Sequence, residues 1–140
     1  MLKGIPSILS PELLKILMEM GHGDEIIIAD GNFPANTNGK RVIRCDGHGV
    51  SEILDAILQL LPLDPYSEFP VALMEVVPGD KVVPVIWETY KEVIAKYEKD
   101  IKIEMVERFA FYERSKTSYA IISTSEKALY GNIILKKGVV

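Results

Sequence analysis

MGHGDEIIIAD, at residues 20–30, joins a histidine framed by two glycines to a short apolar run that ends in a carboxylate. Ile26 to Ile28 are β-branched, which is typical of a buried parallel strand, and Asp30 falls at the carboxyl end of that strand. Ligands of open α/β sheets bind beyond the carboxyl ends of strands. Because glycines allow sharp turns and close approach of a ligand, we expect His22 to transfer protons and Asp30 to anchor a substrate hydroxyl.

A plainer interpretation of the same residues remains open. In it, Gly21 only ends a helix, His22 is an exposed loop residue and Asp30 caps a turn. Residues 31–39, which are rich in turn-forming residues, also allow a functional and a plain interpretation. Loops of this length are often functional, but a surface excursion explains the segment equally well.

The composition limits the partners of the protein. The chain has 140 residues, which suits one domain over residues 1–140, and 16 basic against 20 acidic residues give a net charge of −4. The sequence has no basic run or stripe that could follow a phosphate backbone, so we expect no nucleic-acid partner. No apolar run approaches the roughly 18 residues of a membrane span, so we expect no membrane partner.

Cysteine content and hydropathy bear on compartment and assembly. The single cysteine, Cys45, excludes an internal disulfide and is expected to be a small buried side chain, which favours a reducing, cytoplasmic setting. The hydrophobic fraction of 48% is high for a small acidic domain. Some apolar surface is therefore expected between subunits of an oligomer.

Periodicity along the chain predicts alternating strands and helices. Ser10 can cap a helix whose first position suits Pro11. Helices are predicted at residues 10–20, 51–61, 84–98 and 107–114, and strands at 26–30, 41–44, 71–77, 101–105, 119–124 and 131–135. This order predicts an α/β fold, a single layered domain with a largely parallel central sheet flanked by helices.

Several catalytic motifs are absent. The sequence has no Gly-x-Ser-x-Gly nucleophile elbow and no phosphate-binding loop ending in Gly-Lys-Ser/Thr. His22, His48, Asp30 and Asp46 lack the spacing of a zinc site, so we expect no metal.

Separate blocks of the sequence carry a resemblance that runs from end to end. The blocks lie at residues 1–5, 8–14, 20–26, 33–35, 42–44, 46–47, 108–114 and 130–138. In this order they closely resemble the L-fucose mutarotase branch of the sugar mutarotase family, which also includes D-ribose pyranase. The match is specific because several separated blocks occur in the same order.

The resemblance implies an enzyme that interconverts the α and β anomers of free L-fucose without a cofactor. It implies a homo-oligomer, a ring-shaped decamer or octamer, with sites at subunit boundaries. Among the site residues, His22 matches the proton donor, and Asp30 and Arg108 match substrate-binding positions. The closing segment Tyr130–Asn132 is implied to bind substrate, with Gly131 acting through its backbone and Tyr130 also donating or relaying a proton.

Other interpretations remain open at this point. The sugar could be ribose, as in a pyranase, or the protein could bind a sugar without turnover. Arg108 could pair with Glu104 or Glu107, and the Tyr130 hydroxyl could lie in water. In the mutarotase interpretation, Phe109, Phe111 or Tyr112 would pack against the apolar face of the sugar.

Overall fold

The strands of the computed structural model, which describes residues 1–140, form a single mixed sheet. They are β1 (Glu25–Ala29), β2 (Val42–Cys45), β3 (Val71–Met74), β4 (Ile103–Val106), β5 (Ala120–Thr124) and β6 (Ile133–Lys136). Their order is β2-β5-β1-β6-β3-β4. β6 runs antiparallel to β1 and β3, and the other three pairings are parallel. The predicted α/β fold with a largely parallel sheet is confirmed, with β6 as the exception.

Helices cover both faces of this sheet. They are α1 (Pro11–Glu19), α2 (Ala35–Asn38), α3 (Val50–Leu58), α4 (Ile86–Ala95) and α5 (Arg108–Thr117). The sequence predicted all of these except α2, whose four residues are too few to show a periodic pattern. None of the five has the length and apolar character needed to cross a membrane.

The central position of β1 in the sheet explains why its sequence is apolar without alternation. Ile26 and Ile28 pack into a cluster with α1, α3 and α4, whereas Ile27 and Ala29 pack on the other face with α2 and α5. All four side chains are fully buried. A strand covered on both faces loses the polar positions that a half-exposed strand keeps.

The first helix begins as the sequence predicted. The Ser10 hydroxyl accepts a hydrogen bond from the Leu13 N–H at 3.1 Å, and Pro11 takes the first helical position. After the helix, Gly23 turns the chain with φ +85° into the amino end of β1. His22 therefore lies before β1 and Asp30 after it, separated by a strand of about 16 Å at roughly 3.3 Å per residue.

Predictions at the boundaries of α4 were less accurate. The helix predicted at residues 84–98 is shorter in the structure, where α4 spans Ile86–Ala95. Tyr90, Val93 and Ile94 of α4 are buried, whereas Val85, which precedes its first residue, is 77% exposed. Cys45 is buried, as predicted.

Candidate active site

A cavity of about 190 Å³ opens beyond the carboxyl end of β1. Four residues expected to bind or transform substrate line it: Asp30, Arg108, Tyr130 and Asn132. Its apolar wall includes Phe33, Met74, Val77 and Leu129. The structure thus brings charged, polar and apolar side chains from distant parts of the sequence to one small cavity.

Asp30 is held rigidly at the floor of this cavity. Its side chain accepts hydrogen bonds from the N–H of Asn32 at 3.0 Å and the N–H of Gly131 at 3.3 Å. Its own N–H donates to the Asn132 side-chain oxygen at 2.8 Å. Burial raises the pKa of Asp30, although these hydrogen bonds oppose the shift. The carboxylate keeps a fixed orientation, with a second acceptor position left on each oxygen.

Tyr130 has an unusual backbone conformation and a hydroxyl with two hydrogen-bond partners in the chain. Its φ of +57° lies in the left-handed region, which is uncommon for a bulky residue. The hydroxyl donates to Asp80 Oδ2 at 2.6 Å and accepts from the Val77 N–H at 3.4 Å. The hydrogen bond to Asp80 and partial desolvation raise the pKa of Tyr130, which keeps the phenol protonated. The plain alternative, a hydroxyl left in water, does not describe this structure.

Two aromatic residues of α4 hold the backbone of the segment that carries Tyr130. Trp87 Nε1 donates to the Tyr130 carbonyl at 2.9 Å, and the Tyr90 hydroxyl donates to the Gly131 carbonyl at 2.7 Å. A β-carbon at Gly131 would lie 3.0 Å from the Ala128 carbonyl oxygen, so glycine is needed for this close approach. The left-handed backbone at Tyr130 is thus stabilised from outside the cavity.

Tyr90→Phe is expected to destabilise the fold by about 1–2 kcal/mol, because the buried Gly131 carbonyl loses its donor without a change in side-chain shape. It should also weaken sugar binding, since Gly131 and Asn132 position Asp30. Thermal unfolding and a sugar titration measure the two effects. Tyr97→Phe is the matched control, because its hydroxyl donates to Asp55 on the surface, away from the cavity. A Tyr90→Phe protein that binds and unfolds like the wild type would contradict this role.

Arg108 begins α5 and faces the cavity with most of its donors uncommitted. Its only hydrogen bond within the chain runs from Nε to the Tyr112 hydroxyl at 3.2 Å. The two expected ion-pair partners are engaged elsewhere: Glu107 caps α5, and Glu104 pairs with Arg114. The guanidinium can therefore donate to a ligand from both terminal nitrogens.

The aromatic residues near Arg108 take different positions. Tyr112 lines the cavity, as the sequence allowed. Phe111 is fully buried in the core, so it cannot contact a sugar, and the exposed Phe109 packs edge-on against Tyr112 without reaching the cavity lining.

His22 is not in this cavity within one chain. It lies at the amino end of β1, where Nε2 is 3.0 Å from Asp64 Oδ1 and the ring centroid is 5.6 Å from that of Tyr66. Its side chain is 46% exposed. His22 and Asp30 are therefore at opposite ends of the strand that joins them, although the sequence presented them as neighbours.

The sequence interpretation missed four residues that hold parts of the site. Asp80 and Asp64 contact site side chains, and Trp87 and Tyr90 contact backbone carbonyls. Asp80 follows the Pro-Gly turn after β3, so the rule about carboxyl ends of strands could have found it. The other three gave no sequence signal. No group of three or more His, Cys, Asp or Glu residues converges as a metal-ligand set.

Comparisons with known proteins agree over the whole chain. Residues 3–140 match the RbsD/FucU transport protein family. An L-fucose mutarotase from Actinobacillus pleuropneumoniae is 53% identical over 99% of this chain and 97% of its own length. A fucose mutarotase from Homo sapiens is 49% identical over 99% of this chain and 94% of its own.

Solved structures extend the comparison to three dimensions. The fucose mutarotase of Streptococcus pneumoniae in complex with L-fucose superimposes with a TM-score of 0.95 at 54% identity, covering 99% of both chains. Bacillus subtilis RbsD complexed with D-ribose, at 24% identity and a TM-score of 0.79, shares the fold over 100% of this chain and 99% of its own. Because the family match covers residues 3–140, the chain belongs to the RbsD/FucU transport protein family.

Proposed function

We propose that this protein is a cofactor-independent mutarotase that interconverts the α and β anomers of free L-fucose, with residues 1–140 as one domain. The observation that carries the proposal is the cavity beyond β1, where Asp30, Arg108 and Asn132 meet an apolar wall. The fucose mutarotase relatives at 49% and 53% identity and the neighbour with bound L-fucose support the same sugar.

The lining of the cavity suits a deoxy sugar. Asp30 accepts hydrogen bonds from sugar hydroxyls, Arg108 donates them, and the Asn132 amide offers donors. L-Fucose carries a methyl group where other hexoses carry a hydroxymethyl group. Met74 and Leu129 provide apolar contacts for that methyl group within the same cavity.

The reaction requires two proton transfers. The ring oxygen gains a proton while the anomeric hydroxyl loses one, the ring opens to an aldehyde, the C1–C2 bond rotates, and closure gives the other anomer. Histidine suits this work because its unperturbed pKa of about 6.5 leaves both protonation states accessible near neutral pH. Tyr130, whose hydroxyl donates to Asp80, can pass its own proton on as it receives another.

We propose that His22 reaches the cavity from the partner subunit. One chain holds His22 and Asp30 at opposite ends of β1, whereas an assembly can place the amino end of one sheet against the carboxyl end of another. The amino end also carries an apolar groove of about 560 Å³. Leu2 and Met18, which line it, are 73% and 85% exposed. This apolar surface supports contact between subunits, and we propose that the assembly is a ring-shaped homo-oligomer, a decamer or octamer, with shared sites.

Mixed oligomers test this arrangement. If His22→Ala and Arg108→Ala chains are unfolded together and refolded as a mixture, about a quarter of the sites should be intact, because each site draws the two residues from different subunits. Exchange activity should therefore reappear in the mixture although each variant alone is inactive. A mixture of Asp30→Ala and Arg108→Ala chains is the control, since these residues share one cavity and should not complement. Absence of recovery in the first mixture would contradict shared sites.

Saturation-transfer NMR tests the activity itself. Adding the protein should increase magnetisation transfer between the anomeric protons of L-fucose well above the uncatalysed rate, and more than for D-ribose. Faster exchange on ribose would indicate a pyranase instead. Binding of L-fucose without faster exchange would indicate a sugar-binding protein without turnover.

We propose the cytoplasm as the compartment. The single cysteine is free and buried, which is compatible with a reducing environment.

A further inference from the structure

A carboxylate at the edge of the cavity determines where the Tyr130 hydroxyl points its hydrogen. Asp80 lies in the turn that follows β3, where its N–H donates to the Val77 carbonyl at 3.0 Å. Its Oδ1 accepts a hydrogen bond from the Val82 N–H at 3.0 Å, and its Oδ2 accepts one from the Tyr130 hydroxyl at 2.6 Å. Both carboxylate oxygens therefore have a partner, and the turn fixes their orientation before any ligand binds.

The charge of Asp80 sets the direction of its hydrogen bond with Tyr130. The hydrogen bonds from Tyr130 and the Val82 N–H lower the pKa of Asp80 below its ordinary value of 3.8, so this exposed carboxylate is ionised near neutral pH. An ionised carboxylate only accepts hydrogen bonds. The same contact raises the pKa of Tyr130, so the phenol keeps its proton. The hydrogen between the two oxygens therefore belongs to Tyr130 and points at Asp80, not at a ligand.

The Tyr130 oxygen is thereby left as an acceptor in the cavity lining. Its contact with the Val77 N–H is long, at 3.4 Å, so a second donor can approach the same oxygen. Tyr112, the other phenol of the lining, differs because its hydroxyl accepts from Arg108 Nε, and a guanidinium does not take up a proton. Tyr130 is therefore the phenol of the cavity that can accept a proton while passing its own to a carboxylate.

We propose that Asp80 is a positioning residue that keeps the Tyr130 oxygen as an acceptor for the anomeric hydroxyl of the sugar and receives the Tyr130 proton as the ring opens. This role rests on the proposed function, in which ring opening removes the anomeric proton. It divides the reaction between two groups, with His22 acting at the ring oxygen and Tyr130 at the anomeric oxygen.

The proton and electron transfers balance over one opening and closure. His22 gives a proton to the ring oxygen, which keeps the electron pair of its broken bond to C1. A lone pair of the anomeric oxygen forms the C=O double bond, and the anomeric proton passes to Tyr130 as the Tyr130 proton passes to Asp80. A weak base is sufficient, because the anomeric hydroxyl becomes strongly acidic as the ring oxygen leaves. Closure returns every proton.

Asp80→Asn reverses the hydrogen bond and keeps the size of the side chain. The amide oxygen should stay with the Val82 N–H, so the NH₂ group faces Tyr130 and donates to its oxygen. The Tyr130 hydrogen then turns into the cavity, where it can donate to the anomeric oxygen but the phenol no longer accepts the anomeric proton. We expect kcat to fall by about 100-fold with little change in KM.

Tyr130→Phe shows whether Asp80 acts through the phenol. This variant should lower kcat at least as much as Asp80→Asn does. Adding Asp80→Asn to Tyr130→Phe should cause no further loss, because the group that Asp80 orients is already absent. A purely structural role of Asp80 would instead lower the rate of the double variant again.

A tyrosine and aspartate outside the cavity provide the matched control. The Tyr97 hydroxyl donates to Asp55 Oδ1 at 3.0 Å, and partial desolvation together with this hydrogen bond raises the pKa of Tyr97. Neither residue lines the cavity. Asp55→Asn should therefore lower the pKa of Tyr97 and leave kcat at the wild-type value.

A ¹³C NMR titration of the tyrosine Cζ carbons tests the orientation of Tyr130 in the intact protein without sugar. The Tyr130 resonance is assigned by its loss in Tyr130→Phe. It should titrate at a lower pH in Asp80→Asn than in the wild type, because the amide donates to the phenolate whereas the carboxylate repels it. Asp55→Asn should shift the titration of Tyr97 and not that of Tyr130.

Three results would overturn the proposal. They are an Asp80→Asn protein with the wild-type kcat, a double variant slower than Tyr130→Phe, and a Tyr130 that titrates at the same pH in the wild type and in Asp80→Asn. The titration needs no sugar, so it separates this proposal from the proposed function. The expected titration in a wild-type protein without exchange activity would overturn the proposed function and not the orientation of the Tyr130 hydroxyl by Asp80.

Discussion

His22→Ala is expected to lower the protein-catalysed exchange between the anomers of L-fucose by about 100- to 10,000-fold, the usual worth of a well-placed proton-transfer group. The fold should be retained, because the His22 side chain is 46% exposed and fills no core position. Binding of L-fucose should weaken much less than the rate falls, since Asp30, Arg108 and Asn132 remain. Saturation-transfer NMR measures the exchange rate, and calorimetry measures the binding.

His48→Ala is the matched control, because His48 is the only other histidine and is similarly exposed. It should exchange L-fucose at the wild-type rate. A His22→Ala protein as active as His48→Ala would remove His22 from the mechanism and leave Tyr130 as the remaining candidate for proton transfer.

Asp30→Asn is expected to weaken L-fucose binding by about 10- to 100-fold, because hydrogen bonds to a charged acceptor contribute roughly 1.5–3 kcal/mol each. The amide replaces one oxygen with a donor. That donor must face the N–H of either Asn32 or Gly131, and both now donate to the carboxylate. The substitution therefore removes an acceptor for the sugar and also disturbs the segment that carries Tyr130.

Asp46→Asn is the control for this substitution. Asp46 also directly follows a strand, but it is exposed and pairs with Arg44 outside the cavity. Calorimetric titration with L-fucose should show a large loss of affinity for Asp30→Asn and none for Asp46→Asn. Equal affinities would show that Asp30 does not bind the sugar.

The pH dependence of unfolding provides a separate measurement on Asp30. Its folded-state pKa is raised above the ordinary 3.8, so the folded protein binds this proton more tightly than the unfolded chain does. The associated stability is fully present below pH 3.8 and is lost as the pH rises through the folded-state pKa. Asparagine does not ionise, so the Asp30→Asn protein should not lose this stability. The difference in melting temperature between Asp30→Asn and the wild type should therefore shift in favour of Asp30→Asn as the pH rises from 3.8 through the folded-state pKa of Asp30.

Local sequence patterns, such as helix capping and the spacing of apolar residues, were sufficient to predict most of the fold. Ser10 and Pro11 begin α1 because capping depends on residues three positions apart, and Ile26 to Ile28 form a buried strand because their side chains lack polar alternation. The resemblance to sugar mutarotases supplied the residues of the proposed site. Four of them, Asp30, Arg108, Tyr130 and Asn132, line one cavity.

The direction of β6 and the separation of His22 from the cavity depended on the tertiary structure. Local patterns predict that a strand exists, but its direction in the sheet follows from the path of the whole chain. The tertiary structure also determined which residues hold the site in place. Tyr130 forms a hydrogen bond with Asp80, 50 positions away in the sequence, and Asp30 forms one with Asn132, 102 positions away. Such contacts leave no periodic trace in the sequence, because they form only when packing of the sheet and helices brings distant segments together.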